Sequence, residues 1–182
     1  MRVIAGSAKK RHIKAPRGWT GRPTSDRVKE ALFNILGENV QDSAFLDIFA
    51  GTGNIGIEAL SRGAGPVVFI EKHRRALEAI KDNLNLTGLG GGSILAGDCL
   101  DMLALLHKQQ KSFDIIFLDP PYGLGLEEIV IGEIDSLNLL REDGLLVAES
   151  SKRDILPENI KGFKKLRQEK YGDTMLSFFR QY

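Results

Sequence analysis

The tetrapeptide Asp119-Pro120-Pro121-Tyr122 follows an apolar run, FDIIFL, and its residue types suit one kind of chemistry. Two consecutive prolines fix the backbone and remove two hydrogen-bond donors. What remains is a set of acceptors, the Asp119 carboxylate and the neighbouring carbonyls, held in set directions. Such acceptors beside a tyrosine can hold both hydrogens of an exocyclic amine on a flat base and help localise the nitrogen lone pair. The Tyr122 ring then offers a stacking face. A stiff turn leaving a sheet would draw on the same residues, so the reading depends on where in the fold the tetrapeptide falls.

Three more acids occupy comparable places. Asp47, Glu71 and Asp98 each end or follow a short apolar run, as Asp119 does. Singly, an acid there is a turn former or a helix cap. Four on successive units point to a shared ligand. Between the first two lies Gly51-Thr52-Gly53-Asn54-Ile55-Gly56, which matches G-x-G-x-x-G, the dinucleotide fingerprint. Asp47 argues against that ligand. It lies four residues before Gly51, where a pyrophosphate would face a carboxylate at short range. S-adenosylmethionine presents the reverse, a sulfonium and an ammonium. Gly51 and Gly53 then let the backbone approach its methionyl part, and Glu71 takes the ribose hydroxyls. Asp98 accepts from the adenine amine, with the Cys99 amide donating to a ring nitrogen. Asp98 also reads as the N-cap of a helix starting at Cys99, and the two roles are compatible. Cys99 itself reads as a small apolar residue.

The elements that must position these residues alternate. AFLDIF, PVVFIE, SILAGD, FDIIFLDPP and GLLVAES read as strands. NIGIEALSRG, HRRALEAIKDNLNLTG, CLDMLALLHKQQ and LEEIVIGEIDSLNLL read as the helices between them. Strand–helix alternation predicts an α/β fold with a doubly wound parallel sheet covered on both faces. The acids then line its carboxyl-end rim, where open α/β sheets bind ligands. Two further strands flank the turn signal Tyr171-Gly172-Asp173-Thr174, so a seven-stranded, mostly parallel sheet ends in an antiparallel hairpin. Upstream, TSDRVKEALFNILG predicts a helix capped by Thr24 or Ser25, with Val28, Leu32, Ile35 and Leu36 at helical spacing and Gly37 as its stop. Residues 2–5 and 11–14 predict a small hairpin.

The chain has 182 residues and is 42% hydrophobic, which fits one domain with a short appendage. No apolar run is long enough to span a membrane, and the first residues lack the apolar stretch of a signal peptide. A single cysteine excludes an internal disulfide, and His12, His73 and His107 have no metal-ligand spacing. A cytoplasmic protein, monomeric and without a metal, is the expectation. The net charge of +1 conceals a division. Residues 1–29 carry nine basic residues against one acid, a net +8, which leaves −7 for the rest. Lys9, Lys10 and Arg11 form a basic cluster, and Arg22 and Arg27 flank the start of the first helix. A basic arm on an acidic body suits phosphate contact, hence nucleic acid.

DIFAGTGNIG, FIEKH, GD and DPPY, in that order, resemble class I S-adenosylmethionine-dependent methyltransferases acting on an amino nitrogen. MRVIAGSAKKRHIKAP and RPTSDRVKEALFNIL resemble the start of the RsmD family, the bacterial 16S ribosomal RNA guanine-N2 methyltransferases. The resemblance spans essentially the whole chain, and RPTSDRVKEALFNIL is its most specific segment. It implies a Rossmann-like methyltransferase domain over 24–182 and a basic RNA-binding extension over 1–23. It also implies that Asp119, Pro120 and Tyr122 hold the target guanine. Asp47, Gly51, Gly53, Glu71, Asp98 and Cys99 would bind S-adenosylmethionine, with S-adenosylhomocysteine as product. Arg22, Thr24 and Arg27 would line the cleft beside cofactor and RNA, the substrate being 16S RNA in the small ribosomal subunit or an assembly intermediate. The alternative is a DNA or RNA adenine-N6 methyltransferase, which can use the same tetrapeptide. The DNA enzymes usually carry a separate target-recognition domain, for which no segment here is long enough. A non-catalytic RNA-binding module and a dinucleotide oxidoreductase are disfavoured by the intact DPPY and by Asp47 respectively.

Overall fold

The short apolar runs between glycines and acids become the buried strands of one sheet. The computed structural model describes residues 1–16 and 24–182. Five strands run parallel: β1 (Phe45–Ile48), β2 (Val67–Glu71), β3 (Gly92–Ala96), β4 (Phe113–Leu118) and β5 (Leu140–Ser151), in the spatial order β3-β2-β1-β4-β5. β6 (Asn159–Ile160), β7 (Phe163–Tyr171) and β8 (Thr174–Gln181) continue it antiparallel, in the order β5-β8-β7-β6. Among the described residues the sheet therefore has eight strands, not seven. The addition is β6, two residues at the outer edge, too short to leave a period-2 pattern.

Among the described residues there are five α-helices: α1 (Asp26–Leu36) precedes β1, and α2 (Asn54–Ser61), α3 (Arg74–Thr87), α4 (Cys99–Lys108) and α5 (Leu126–Ser136) fill the connections between the parallel strands. Ser25 is the N-cap of α1, its hydroxyl accepting from the Val28 amide at 3.3 Å. α5 stops at Ser136 although its apolar pattern predicts a helix to Leu140. Asn138 turns left-handed at φ 51°, and Leu140 already pairs with Phe113 in the sheet.

Alternation along the strands sorts the core into two faces. Phe45, Val67, Phe69, Ile115, Phe117 and Val147 pack with α1, α2 and α3. Leu46, Ile48, Ile70, Ile116, Leu118 and Leu146 pack with α4 and α5. Asp47, Glu71 and Glu149 occupy positions in phase with the first set.

The amino-terminal residues join the first face. The expected hairpin is reduced to one antiparallel bridge, Arg2 with His12, bordered by the Val3–Arg11 and Lys10–Val3 backbone hydrogen bonds. Val3, Ala8 and Ile13 are buried in the core. Polar groups of the helices fix the segment. Glu58 accepts from the Ile4 and Ala5 amides, Ser61 accepts from the Ala8 amide, and Asn83 exchanges two hydrogen bonds with the Lys14 backbone. Lys29, fully buried, donates to the Arg2 carbonyl at 2.6 Å and pairs with Glu58 at 3.3 Å. A buried charge needs such a partner.

Candidate active site

The strand order reverses direction between β1 and β4. That is the topological switch point, where an open α/β sheet leaves a crevice at its carboxyl ends. Asp47 lies on β1, and Asp119 follows β4, its amide donating to the Ile48 carbonyl at 3.3 Å. The two acids thus flank the crevice from neighbouring strands.

Asp47 is buried, and its Oδ2 accepts from the Gly56 amide at 2.8 Å. Burial raises its pKa from 3.8 to about 7; the Glu71 charge adds to the rise and the Gly56 hydrogen bond opposes it. A carboxylate so placed gains from a cationic neighbour. The glycine loop sits directly above. Phe49 and Gly51 have positive φ, and Gly53 (φ 77°) precedes the first residue of α2 in a left-handed conformation. Gly56 serves packing: a Cβ there would lie 2.2 Å from Cε1 of Phe69 on β2.

Glu71 ends β2. Its Oε2 accepts from the Gly51 amide at 2.9 Å, and its Oε1 accepts from the Lys72 and His73 amides, each at 2.8 Å. These bonds tie the glycine loop to the second strand. Asp98 is exposed, caps α4 by accepting from the Leu100 amide at 3.2 Å, and pairs with Lys72 at 3.4 Å. The capping role is therefore present, and Cys99 begins the helix beside it. Burial pushes the Cys99 thiol up to about 12, the Asp98 charge adding to that, so it stays protonated and packs as an apolar residue.

Asp119 is half-buried and Pro120 buried. Burial holds the Asp119 carboxyl well above the usual carboxylate range, reinforced by the charges of Glu149, Asp47 and Glu127 in that order. Tyr122 is 36% exposed, so its ring can present a face while its hydroxyl donates to Glu149 Oε1 at 3.2 Å. Its pKa is pushed up by burial and then by the Glu149 and Asp119 charges. Glu127, in the first turn of α5, is buried with Oε1 unpartnered.

Glu149 is not among the residues that the sequence motifs single out. It ends the apolar run GLLVAE, the same signal that marks the other acids, so that signal could have found it. Thr24 is expected beside the cleft, but no local pattern assigns its partner. Its hydroxyl donates to Glu149 Oε2 at 3.0 Å, and the helix cap falls to Ser25. Of the basic residues, Lys9, Lys10, Arg11 and Arg27 are exposed, and Arg11 also donates to the Leu86 carbonyl at 2.8 Å. Arg22 lies outside the described residues.

A profile of the family described as Conserved hypothetical protein 95 matches residues 1–180. A Bacillus subtilis protein named Putative rRNA methyltransferase YlbH is 38% identical over 182 residues, covering all of this chain and 99% of its own. The Escherichia coli K12 protein named Ribosomal RNA small subunit methyltransferase D is 34% identical over 157 residues, 86% of this chain and 78% of its own. Among solved structures, one described as a putative methyltransferase, yhhF, from Escherichia coli superposes with a TM-score of 0.87 at 31% identity, covering 100% of this chain and 97% of that one.

Proposed function

We propose, since this chain belongs to the RsmD family (the family described as Conserved hypothetical protein 95), that it methylates ribosomal RNA, transferring a methyl group from S-adenosylmethionine to the exocyclic N2 amine of a guanine in 16S RNA. The names of its relatives support the coarser statement, a methyltransferase of ribosomal RNA. One observation supports an exocyclic amine as the acceptor: acids from neighbouring strands converge on the switch-point crevice beside a proline-fixed tyrosine; the choice of guanine rests on the resemblance to the family.

The donor set fits the cofactor. Acids with raised pKa values are a poor host for pyrophosphate and a good one for a sulfonium and an ammonium. When bound, S-adenosylmethionine supplies a methyl group already activated by its sulfonium. Asp47 and the Gly51–Gly53 backbone would hold the methionyl end. Glu71 would take the ribose, and Asp98 with the Cys99 amide the adenine. Asp119 and the Pro120 carbonyl would accept the two amine hydrogens of the guanine. With the methyl's bond to sulfur broken and neutral S-adenosylhomocysteine leaving, the amine nitrogen would become positive; Asp119, favoured in its ionised form beside a cation, would stabilise that charge and take the proton. Much of the acceleration comes from holding amine and methyl in line. The base must leave its stack to enter, and the exposed face of Tyr122 would receive it. The basic arm would contact phosphates of the small subunit or its assembly intermediate, in the cytoplasm, the protein acting as a monomer.

The test is transfer from methyl-labelled S-adenosylmethionine to 16S RNA and to small subunits, followed by nucleoside digestion and mass spectrometry. N2-methylguanosine is the expected product. N6-methyladenosine would move the assignment to adenine. Asp119→Ala is expected to abolish transfer with little change in cofactor affinity. A collapse of that affinity would make Asp119 a cofactor ligand and not the acceptor of the guanine amine.

A further inference from the structure

We infer that Glu149 is a positioning residue for the reaction, the acceptor that sets the orientation of Tyr122 and ties it to the start of α1. The inference rests on the function proposed above. Glu149 lies on β5 and is 3% exposed. It stands one residue beyond the Leu118–Ala148 pair, so it sits beside Asp119 across the β4–β5 ladder. Among the described residues, its two carboxylate oxygens accept from two elements. Oε1 accepts from Tyr122 in the reactive turn, and Oε2 accepts from Thr24 ahead of α1.

The tie continues inward. The Thr24 carbonyl accepts from Asn54 Nδ2 at 3.1 Å, and Asn54 Oδ1 accepts from Lys29 Nζ at 2.7 Å. Lys29 also donates to the Arg2 carbonyl. A continuous run of hydrogen bonds, buried along its middle and part-buried at its two ends, therefore links the tyrosine to the amino-terminal arm. The energetic logic is local. A phenol on a turn of exposed residues has rotamer freedom; Thr174 on β8 also hydrogen-bonds the hydroxyl, and Glu149 supplies the charged acceptor that restrains it most strongly. A stacking ring held before the base arrives costs less entropy when it binds. Glu149 itself need not touch the substrate.

Glu149 also bears on the acid beside it. Its charge is the first of the neighbouring charges that hold the Asp119 carboxyl up, ahead of Asp47 on β1 and Glu127 on α5. Removing that charge lowers the pKa of Asp119, so the pH below which transfer falls moves downward.

Four proteins test the assignment: wild type, Glu149→Ala, Glu149→Gln and Tyr122→Phe. Measured for each are kcat and KM for RNA, cofactor affinity, the thermal midpoint and the pH dependence of kcat. Glu149→Ala is expected to lower kcat about 10- to 100-fold, the scale of a misplaced reacting group, with cofactor affinity unchanged. Glu149→Gln keeps an acceptor and is expected to recover most of kcat while its acid limb shifts to lower pH. Tyr122→Phe is expected to lower kcat as well, with its acid limb at the wild-type pH because the Glu149 charge remains, and the double variant to lose less than the two single losses combined, since the hydrogen bond they share couples them. If Glu149→Ala fails to fold, Tyr122→Phe decides: an unchanged kcat overturns the inference. Equal kcat and an unshifted pH profile in both Glu149 variants overturn it as well. A wild type that transfers no methyl group to RNA overturns the underlying reading and this inference with it. An active wild type beside unaffected variants overturns the inference alone.

Discussion

Asp47 is a residue on which stability and ligand binding pull in opposite directions. Its pKa is about 7 in the fold, against an ordinary 3.8. Between about pH 4 and pH 7 the folded state keeps a proton that the unfolded chain has released, so stability falls as pH rises through that window. The full loss is about 4 kcal/mol. A cation in the crevice reverses the balance by favouring the ionised form. Asp47→Asn keeps an acceptor for the Gly56 amide and removes the charge. The expected outcome is a higher thermal midpoint than wild type at pH 8, a flatter midpoint-against-pH curve between pH 4 and 7, and weaker S-adenosylmethionine binding by calorimetry. An unchanged curve would assign the pH dependence to the other acids. At this scale the sequence is informative where an acid stands in or just after an apolar run near a strand's carboxyl end, as Asp47, Glu71, Asp98 and Asp119 do. It is silent on Thr24 with Glu149, because that hydrogen bond joins residues 125 apart and no local pattern encodes it.

The glycine loop shows how an element can carry a familiar pattern for a different guest. The three glycines of G-x-G-x-x-G here perform two mechanical jobs. Gly51 and Gly53 accept left-handed backbone at the strand-to-helix turn, and Gly56 lets α2 lie against β2. Neither job specifies a phosphate, and so the pattern alone does not choose the ligand. Gly56→Ala would press a methyl group into the Phe69 ring, at 2.2 Å from Cε1 before relaxation. Overpacking of that kind costs about 1–3 kcal/mol, expected as a lowered denaturant midpoint with an unchanged slope. A change too small to measure would mean that the ring has room to turn aside. α2 also marks a limit of periodicity. Glu58 reads as an ordinary acid in NIGIEALS, yet it is fully buried. Its partners are the amides of Ile4 and Ala5, Lys29 and Arg62. The helix is legible from its spacing; the burial of its acid depends on a segment more than fifty residues upstream.

Across the whole molecule, charge is divided by depth as well as along the chain. The acids Asp47, Asp119 and Glu149 gather inside, at the strand ends. Lys9, Lys10 and Arg11 stand outside on an arm that Glu58, Ser61 and Asn83 pin to α2 and α3. Asn83 also donates to the Thr52 carbonyl at 3.0 Å, so the arm and the glycine loop share an anchor. On the proposed function, an RNA strand would meet opposite requirements at the two places. Its phosphates would need the outer cations, and its extruded base, a donor at the amine, would need the inner acceptors. A basic arm anchored to the body presents its cations at a fixed distance from the crevice, whereas a loose tail would add charge without register. Replacing Lys9, Lys10 and Arg11 with Glu tests this division. RNA affinity is expected to fall, and the slope of log affinity against log salt to flatten by up to about 2, at roughly 0.7 for each phosphate of a single strand that the arm no longer neutralises. S-adenosylmethionine affinity and the thermal midpoint are expected to stay near wild type, because the three side chains are exposed. Binding measured across a salt series, with calorimetry on the cofactor, separates the two. An unchanged salt slope would take the arm out of RNA recognition. A drop in cofactor affinity would mean that the arm acts through the glycine loop.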